Sequence, residues 1–383
     1  MSTGIEANVE TMANEPEANK LFRMVMKYQA SDLHLKVGVS PSMRLAGVLR
    51  QMQLPKLSIA DMERLMYPLL SPRQRGILDE EGGVDFAHII FDGDTETRFR
   101  VNLFKQRGRL SLVARRVNNK IPTFEQLHLP VVLAEITKYE QGIIILAGVT
   151  GSGKSTTIAS MLQYMNERER LHIVTVEDPI EYTFKDDKSI INQREVGIDV
   201  IDWDVALKHA VRQDPDVILV GELRDRETFS AAMHAAETGH LVFGTIHAGT
   251  APSTIGRLLD LFPREMHSTL RQSLEFNLKA IVAQKLLPTT KEWAAKGLTR
   301  VPTNEIMLSN PTVRKLIMNE EDNKLGDAIR IGKEEGMMDF TESLRLLVVN
   351  EFIERATAFE YAPSPESLKM ALKGITIAQP GIL

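Results

Sequence analysis

Residues 148–155 read GVTGSGKS, which places glycines, a lysine and a serine at the spacing G-x-x-x-x-G-K-[ST]. An apolar run at 143–147 precedes this segment, and residues 156–168 follow it with apolar side chains at helical spacing. A strand, a glycine-rich loop and a helix in this order form a phosphate-binding P-loop, because backbone N–H groups and the positive end of the helix face the phosphates. The segment therefore predicts a nucleotide site.

Two side chains of this segment have separate predicted roles. We expect Lys154 to contact the β- and γ-phosphates of ATP, and the Ser155 hydroxyl to ligate the Mg²⁺ that accompanies it. The other predicted nucleotide contacts come from the loop and the first helical turn: Thr150, Gly151, Ser152, Gly153 and Thr156. A chance glycine turn is the alternative, but residue frequencies allow only about 0.01 accidental matches in a chain of this length.

An acidic residue follows a second apolar strand, in the segment DVILVGE at 216–222. P-loop enzymes present an acid near Mg²⁺ and the attacking water from a strand beside the P-loop strand. Glu222 takes that position, and Gly221 replaces the usual aspartate, so we expect Glu222 to act mainly on the water. The alternative is an exposed glutamate at a strand end.

A third apolar strand ends in an acidic cluster, in the segment IVTVEDPIEY at 173–182. Glu177, Asp178 and Glu181 repel one another unless a cation is near, and Mg²⁺ bound to ATP supplies one. We predict that Glu181 or Glu177 polarises the attacking water as a general base. The alternative is a helix N-cap with solvated acids.

Two histidines, His240 and His247, flank the apolar residues 241–246. We expect His247 at the carboxyl end of that strand, where it could hydrogen-bond the γ-phosphate, and we also assign His240 to nucleotide contact. The chain has nine histidines and no cysteine, so structural or solvated histidines are the alternative, and a zinc site lacks further ligands.

Arginines alternate with apolar residues in the segment RFRVN at 98–102, so Arg98 and Arg100 share one strand face. Arg115 and Arg116 follow at the end of the same region. Arginine suits bidentate phosphate contact, and one supplied by a neighbouring molecule can complete a transition state. The alternative is a charged outer face of a sheet.

The composition is that of a globular protein, with 43% hydrophobic and 25% charged residues. A net charge of -5 argues against a nucleic-acid partner, and the absence of cysteine excludes disulfides and thiol catalysis. Acidic residues precede the first basic residue, Lys20, which is the opposite of a signal peptide. The apolar runs are shorter than the ~20 residues that span a bilayer, so we expect a cytoplasmic protein.

The pattern changes along the chain. We expect residues 1–18 to be a disordered tail, 19–117 a small α+β domain, and 118–130 a polar linker. Residues 131–383 alternate apolar strands with helices, which predicts an α/β domain with a mostly parallel sheet that binds ligands at the carboxyl ends of its strands. After Pro302 we expect a largely helical chain. The predicted strands are 31–36, 42–45, 84–91, 98–104, 110–115, 143–147, 173–176, 217–220 and 241–246.

Several segments together resemble the secretion/type IV pilus ATPase superfamily, and most closely the pilus retraction ATPases of the PilT/PilU type. The resemblance covers residues from about 21 to 347 and includes a partial match, at 312–319, to the A-I-R-N-L-I-R-E stretch of that group. The matching segments are ASDLHL at 30–35, RFRVN at 98–102, the P-loop, EDPIEY at 177–182, RQDPD at 212–216, GELRD at 221–225, AETGH at 236–240 and TIHA at 245–248.

The resemblance implies a PAS-like first domain and a RecA-like P-loop ATPase domain, in a homohexameric motor that hydrolyses ATP to retract type IV pili in twitching motility. It also implies catalytic roles for Glu181 and Glu222, and nucleotide contacts from His247 and His240. The arginines that cross to a nucleotide in the ring would be Arg100 and Arg115, with Arg116 as the alternative to Arg115.

The implied partners are further copies of the chain and an inner-membrane pilus platform protein, with a paralogous retraction ATPase as a further candidate and no nucleic acid. The implied location is cytoplasmic, peripheral to the inner membrane at the pilus base.

Three other functions are alternatives. Pilus-assembly and type II secretion ATPases of the same superfamily usually carry a larger N-terminal region and a four-cysteine metal module, and this chain has no cysteine. A RecA-like nucleic-acid motor needs a basic stripe with aromatic residues, which a charge of -5 and 6% aromatics do not indicate. A nucleotide-dependent scaffold that does not hydrolyse ATP also remains open.

Overall fold

The computed structural model describes residues 15–93 and 95–374, in two compact units that meet in sequence between Asn119 and Lys120. Most of the predicted disordered tail lies outside the described residues. Its last residues are nevertheless placed, because Ala18 is fully buried and Arg23 Nη1 lies 2.6 Å from Glu15 Oε2. Within the described ranges, no helix is both long and apolar enough to cross a membrane.

The first unit contains a six-stranded antiparallel sheet in the order β3-β2-β1-β6-β5-β4. Its strands are β1 (Asp32–Lys36), β2 (Ser42–Leu45), β3 (Val48–Gln51), β4 (Gly83–Asp92), β5 (Thr95–Gln106) and β6 (Arg109–Arg116), and its helices are α1 (Asn19–Lys27), α2 (Ile59–Met66) and α3 (Pro72–Glu81). Alternation along the strands places Leu33, Phe99 and Val101 in the core and charged residues on the other face. The strands predicted for this region are present, and β3 is an addition.

The second unit contains a seven-stranded sheet in the order β13-β12-β7-β11-β10-β8-β9, parallel except for the pairing of β13. The strands are β7 (Gly142–Ala147), β8 (His172–Glu177), β9 (Ile190–Glu195), β10 (Val217–Val220), β11 (Leu241–Ile246), β12 (Leu278–Pro288) and β13 (Arg300–Leu308). The helices are α4 (Val132–Ile136), α5 (Lys154–Asn166), α6 (Trp203–Ala210), α7 (Arg226–Glu237), α8 (Ala251–Leu259), α9 (His267–Asn277), α10 (Lys291–Ala295), α11 (Pro311–Met318), α12 (Leu325–Ile331), α13 (Phe340–Val349), α14 (Arg355–Tyr361) and α15 (Pro365–Leu372).

The sequence patterns missed β9, β12 and β13. The chain after Pro302 is largely helical, as expected, except that the residues up to Leu308 belong to β13. Pro302 lies inside β13 and pairs with Leu286 of β12. Proline is tolerated there because β13 is an edge strand, where one row of backbone N–H groups needs no partner in the sheet.

The segment predicted as a linker does not behave as one throughout. Phe124 and Leu129 are buried in the core of the second unit, and the Phe124 ring stacks on Tyr164 with the ring centroids 5.1 Å apart. Isolated apolar residues in a polar stretch hide this packing from a reading by periodicity. The segment from Lys120 onward therefore belongs to the second unit.

The central strands β7, β10 and β11 are buried along their whole length, since helices cover both faces of the sheet. Because β7, β8, β10 and β11 run parallel, their carboxyl ends meet at one edge of the sheet. The P-loop and the predicted acids lie at that edge.

Candidate nucleotide-binding site

The P-loop leaves the end of β7 through a tight turn at Gly148, which has φ +156°, and α5 begins at Lys154 after Gly153, which has φ +88°. A Cβ added at Gly148 would lie 2.6 Å from the Gln284 carbonyl oxygen, and one added at Gly153 would lie 2.8 Å from Gln284 Nε2. Only glycine therefore permits this close approach of the loop to β12. The loop directs the N-terminus of α5 to the edge of the sheet where an anion would bind.

The residues of the loop fit the phosphates of a nucleotide. Lys154 Nζ donates hydrogen bonds to the carbonyl oxygens of Gly148 (2.7 Å) and Val149 (3.2 Å). Burial lowers the pKa of Lys154, and the carboxylates of Glu222 and Glu181 partly oppose that shift. Among the residues described, the buried Ser152 hydroxyl has no hydrogen-bond partner.

One cavity of about 300 Å³ collects most of the predicted site. The predicted residues that line it are Thr150, Gly151, Lys154, Ser155, Glu177, Asp178, Glu181, Glu222 and His247. Ser152 and Gly153 lie in the same loop beneath its surface, and the Thr156 hydroxyl is 2.9 Å from the Tyr182 hydroxyl, a partner that the sequence reasoning did not assign. Segments separated by about a hundred residues thus converge on the P-loop.

Glu222 and His247 form a pair at the ends of neighbouring strands, with His247 Nε2 3.2 Å from Glu222 Oε1. The Thr245 hydroxyl donates to the Gly221 carbonyl oxygen at 2.5 Å and so ties the exit of β10 to β11. The imidazole therefore orients a carboxylate that opens into the cavity. The sequence placed both residues at strand ends but did not predict their contact.

The acidic segment after β8 is held by the neighbouring edge strand β9. Glu177 Oε1 accepts hydrogen bonds from Thr175 Oγ1 (2.6 Å) and Gln193 Nε2 (3.2 Å), and Gln193 Nε2 also donates to the Tyr182 carbonyl oxygen at 2.8 Å. Burial raises the pKa of Glu177 to about 7, although the hydrogen bonds from Thr175 and Gln193 oppose the shift. Sequence reasoning missed Gln193 because β9 was not predicted.

Gln284 of β12 supports the underside of the P-loop. It is fully buried, its Nε2 donates to the Ser152 carbonyl oxygen (2.8 Å), and its Oε1 accepts from Thr157 Oγ1 (2.8 Å) and Asn304 Nδ2 (3.0 Å). A polar residue inside the apolar run AIVAQKLL was the only sequence signal for it. Its amide fixes the loop from one side and the sheet from the other.

The structure does not bring His240 to this cavity. His240 precedes β11 at its amino end, and its Nδ1 lies 2.9 Å from the Ala235 carbonyl oxygen. A six-residue strand separates it from His247, which puts the two histidines roughly 20 Å apart. The two histidines are close in the sequence and were therefore assigned to one site, but β11 places them at opposite ends of the strand.

The predicted arginines lie in the first unit. Arg100 of β5 is directly opposite Arg115 of β6, whereas Arg116 is opposite the buried Phe99 and donates from Nη2 to Gln29 Oε1 at 3.1 Å. The geometry thus separates two neighbours that the sequence left as alternatives, with Arg115 beside Arg100 and Arg116 directed elsewhere.

Replacement of Gln284 by leucine should weaken ATP binding about tenfold, because the buried Ser152 carbonyl and the Thr157 and Asn304 donors lose their partner. Calorimetric titration with ATP measures this. The control is Gln163→Leu near the end of α5, where the glutamine bonds to Glu167 and Asn166 and does not line the cavity. Equal affinities for Gln284→Leu and the wild type would contradict the supporting role.

The raised pKa of Glu177 predicts a pH dependence of stability. The folded chain retains a proton between pH 4.5 and about 7 that the unfolded chain has lost, so the free energy of unfolding falls as pH rises through this window. The contribution is at most roughly 3 kcal/mol. Thermal unfolding of the nucleotide-free protein, measured from pH 5 to 8, should show that stability declines less with pH in Glu177→Gln than in the wild type. Identical slopes of stability against pH would refute the raised pKa of Glu177.

Comparison with known proteins identifies the family of this chain. Residues 9–325 match the family described as Type II/IV secretion system protein. The type IV pilus retractation ATPase PilT of Pseudomonas aeruginosa is 38% identical over 351 residues, which cover 92% of this chain and 99% of the relative. The type IV pilus ATPase PilU of the same organism is 36% identical over 357 residues, which cover 93% and 91%.

A solved structure leads to the same group. The crystal structure of the pilus retraction motor PilT with bound ADP superposes with a TM-score of 0.82 at 39% identity, and the match covers 91% of this chain and 98% of that chain. The chain therefore belongs to the type II/IV secretion system protein family and, within it, to the PilT-like pilus retraction ATPases.

Proposed function

We propose that this chain is a homohexameric motor that hydrolyses ATP to retract type IV pili. The observation that carries the proposal is the single cavity shared by the P-loop, the Glu222–His247 pair and Glu181. Similarity to a retraction ATPase over almost the full length of both chains supports the direction of work.

The two units correspond, in this proposal, to a PAS-like domain at 19–117 and a RecA-like ATPase domain at 131–383. An antiparallel sheet with helices supports the first assignment, and a parallel sheet with a P-loop supports the second. The proposed partners beyond the chain itself are an inner-membrane platform protein of the pilus and a paralogous retraction ATPase, which places the motor at the cytoplasmic side of the pilus base.

ATP is the proposed substrate. Thr150, Gly151 and the N-terminus of α5 would surround the phosphates, Lys154 would neutralise their charge, and the Ser155 hydroxyl would ligate Mg²⁺. When bound, Mg²⁺ supplies positive charge to the phosphate oxygens. The buried Ser152 hydroxyl, which finds no hydrogen-bond partner in the described part of the chain, and the glycine-lined turn support a fit to this ligand.

Glu222 and Glu181 are the proposed catalytic glutamates. His247 orients Glu222 at the mouth of the cavity, where the carboxylate can hold the attacking water. Glu181 is exposed in the same cavity and free to share this task, whereas Glu177 is committed to hydrogen bonds from Thr175 and Gln193. This difference favours Glu181 over Glu177.

Arg100 and Arg115 are proposed to act on a nucleotide held by another copy of the chain. Their positions on adjacent strands, directly opposite each other, support a joint role toward one anion. Arg115 is 74% exposed at its side chain and therefore accessible to a neighbouring molecule. A closed ring would give every nucleotide such a neighbour.

Substitutions in the cavity should separate binding from hydrolysis. Lys154→Ala should lose most ATP binding, because the phosphates lose their cationic partner. Glu222→Gln and Glu181→Gln should bind ATP but hydrolyse it more slowly by a factor of about 10² or more, the scale for loss of a positioned base. Nucleotide titration and phosphate release measure the two steps.

Glu227→Gln is the matched control for hydrolysis, since Glu227 is exposed in the first turn of α7 and does not line the cavity. It should turn over ATP as the wild type does. If Glu222→Gln releases phosphate at the wild-type rate, Glu222 has no catalytic role. If neither the wild type nor Glu227→Gln releases phosphate at any ATP concentration, the result favours a scaffold that does not hydrolyse ATP.

The direction of work is tested in cells. Cells that lack this chain should remain piliated or become hyperpiliated and should not twitch, because assembly continues while retraction stops. Electron microscopy counts the pili and a surface-motility assay records twitching. Expression of the Glu227→Gln variant in these cells should restore motility, whereas expression of the Glu222→Gln variant should not. Bald cells that retain pilin in the membrane would instead identify an assembly motor.

A further inference from the structure

Four charged residues lie directly opposite one another on four adjacent strands of the first unit. Arg44 of β2 pairs with Asp32 of β1, Asp32 pairs with Arg115 of β6, and Arg115 pairs with Arg100 of β5. Residues directly opposite project to the same face of a sheet, with about 5 Å between neighbours. We call these four residues the charged row.

The charged row carries surplus positive charge, because it holds three guanidinium groups and only one carboxylate. Arg100 and Arg115 are direct cross-strand neighbours, an arrangement of like charges that destabilises a sheet. In the part of the chain that the structure describes, Arg100 has no carboxylate within 4.0 Å. This end of the row is thus suited to an anion such as a phosphate group.

Asp32 is the fixed point of the charged row. Its side chain is 5% exposed, and Oδ1 accepts a hydrogen bond from Arg115 Nε at 2.9 Å. Oδ2 accepts from Ser31 Oγ at 2.7 Å and lies 3.6 Å from Arg44 Nε. Burial would raise the pKa of Asp32, but the hydrogen bonds from Ser31 and Arg115 outweigh it and lower the pKa below its usual range.

The contact with Asp32 holds the Arg115 guanidinium in place but leaves its two terminal nitrogens available for a ligand. Asp32 engages only Nε, and among the described residues the two terminal nitrogens of Arg115 have no hydrogen-bond partner. An unconstrained exposed arginine loses rotamer entropy when it is fixed on a ligand. Fixing the guanidinium in advance reduces that cost.

We propose that Asp32 is a positioning residue for ATP hydrolysis, which fixes the Arg115 guanidinium beside Arg100 so that both arginines meet a polyphosphate as a preformed pair. The proposal rests on the proposed function, in which these arginines reach a nucleotide held by another copy. Asp32 itself touches no substrate and acts through Arg115.

The first test is Asp32→Asn, which keeps the shape of the side chain but removes the charge, so that the bond to Arg115 loses about half its strength. We expect kcat for ATP to fall about tenfold, with little change in KM, because the loss affects transition-state contacts alone. The matched control is Asp85→Asn in the same sheet, which accepts from Asn102 Nδ2 at 3.1 Å and lies outside the row. It should leave kcat unchanged.

A double-mutant cycle separates positioning from a structural role. If Asp32 acts through Arg115, Asp32→Asn should add no further loss of kcat to Arg115→Ala. A residue that only stabilises the fold would lower kcat by the same factor in both backgrounds, and that result would overturn the proposal. Ser31→Ala, which removes one bond to the carboxylate, is the milder variant if Asp32→Asn unfolds, and should lower kcat about two- to threefold.

The outcomes distinguish this inference from the function on which it rests. Wild-type kcat in Arg115→Ala would overturn the role of Arg115 itself. A defective Arg115→Ala together with wild-type kcat in both Asp32→Asn and Ser31→Ala would overturn only the positioning role. Mixing Asp32→Asn subunits with Lys154→Ala subunits should restore part of the activity, since each then supplies the half-site that the other lacks, and no recovery would contradict action in trans.

Discussion

The close packing of the P-loop against β12 is the constraint on which the rest of the site depends. Gln284 contributes its carbonyl oxygen beneath Gly148 and its amide beneath Gly153, so neither position has room for a side chain. The same amide reaches Thr157 and Asn304 and thereby joins the loop to α5 and β13. Because the loop is already ordered, its N–H groups lose little conformational entropy when phosphate binds.

The electrostatics of the two units follow different arrangements. The cavity of the second unit brings Lys154 close to Glu222 and Glu181, so its acids outnumber its cation. The sheet of the first unit instead carries the charged row, which holds three arginines and one buried aspartate, and only Arg44 and Arg115 contact that aspartate. The second unit offers acids that can hold the attacking water, and the first unit offers surplus positive charge for a polyphosphate. Each unit therefore has what the other lacks.

Much of the architecture could be predicted from local patterns. The central strands are continuous apolar runs, and β5 alternates arginine with core residues, so periodicity identified them. The edge strand β9 is polar and β13 contains Pro302, so neither shows the pattern of a strand until a neighbour pairs with it. The buried Phe124 and Leu129 show the same limit, because isolated apolar residues reveal a core only after the chain has folded.

The sequence by itself determined where the P-loop lies and which acids follow β8 and β10, because strand, glycine turn and helix N-terminus are adjacent in the chain and depend on local spacing. Only the tertiary structure decided which distant residues meet. Strand order joined Glu222 to His247 and Gln284 to the P-loop, strand length removed His240 from the cavity, and antiparallel register set Asp32 beside Arg115. Order and register depend on the packing of whole sheets, which no local pattern specifies.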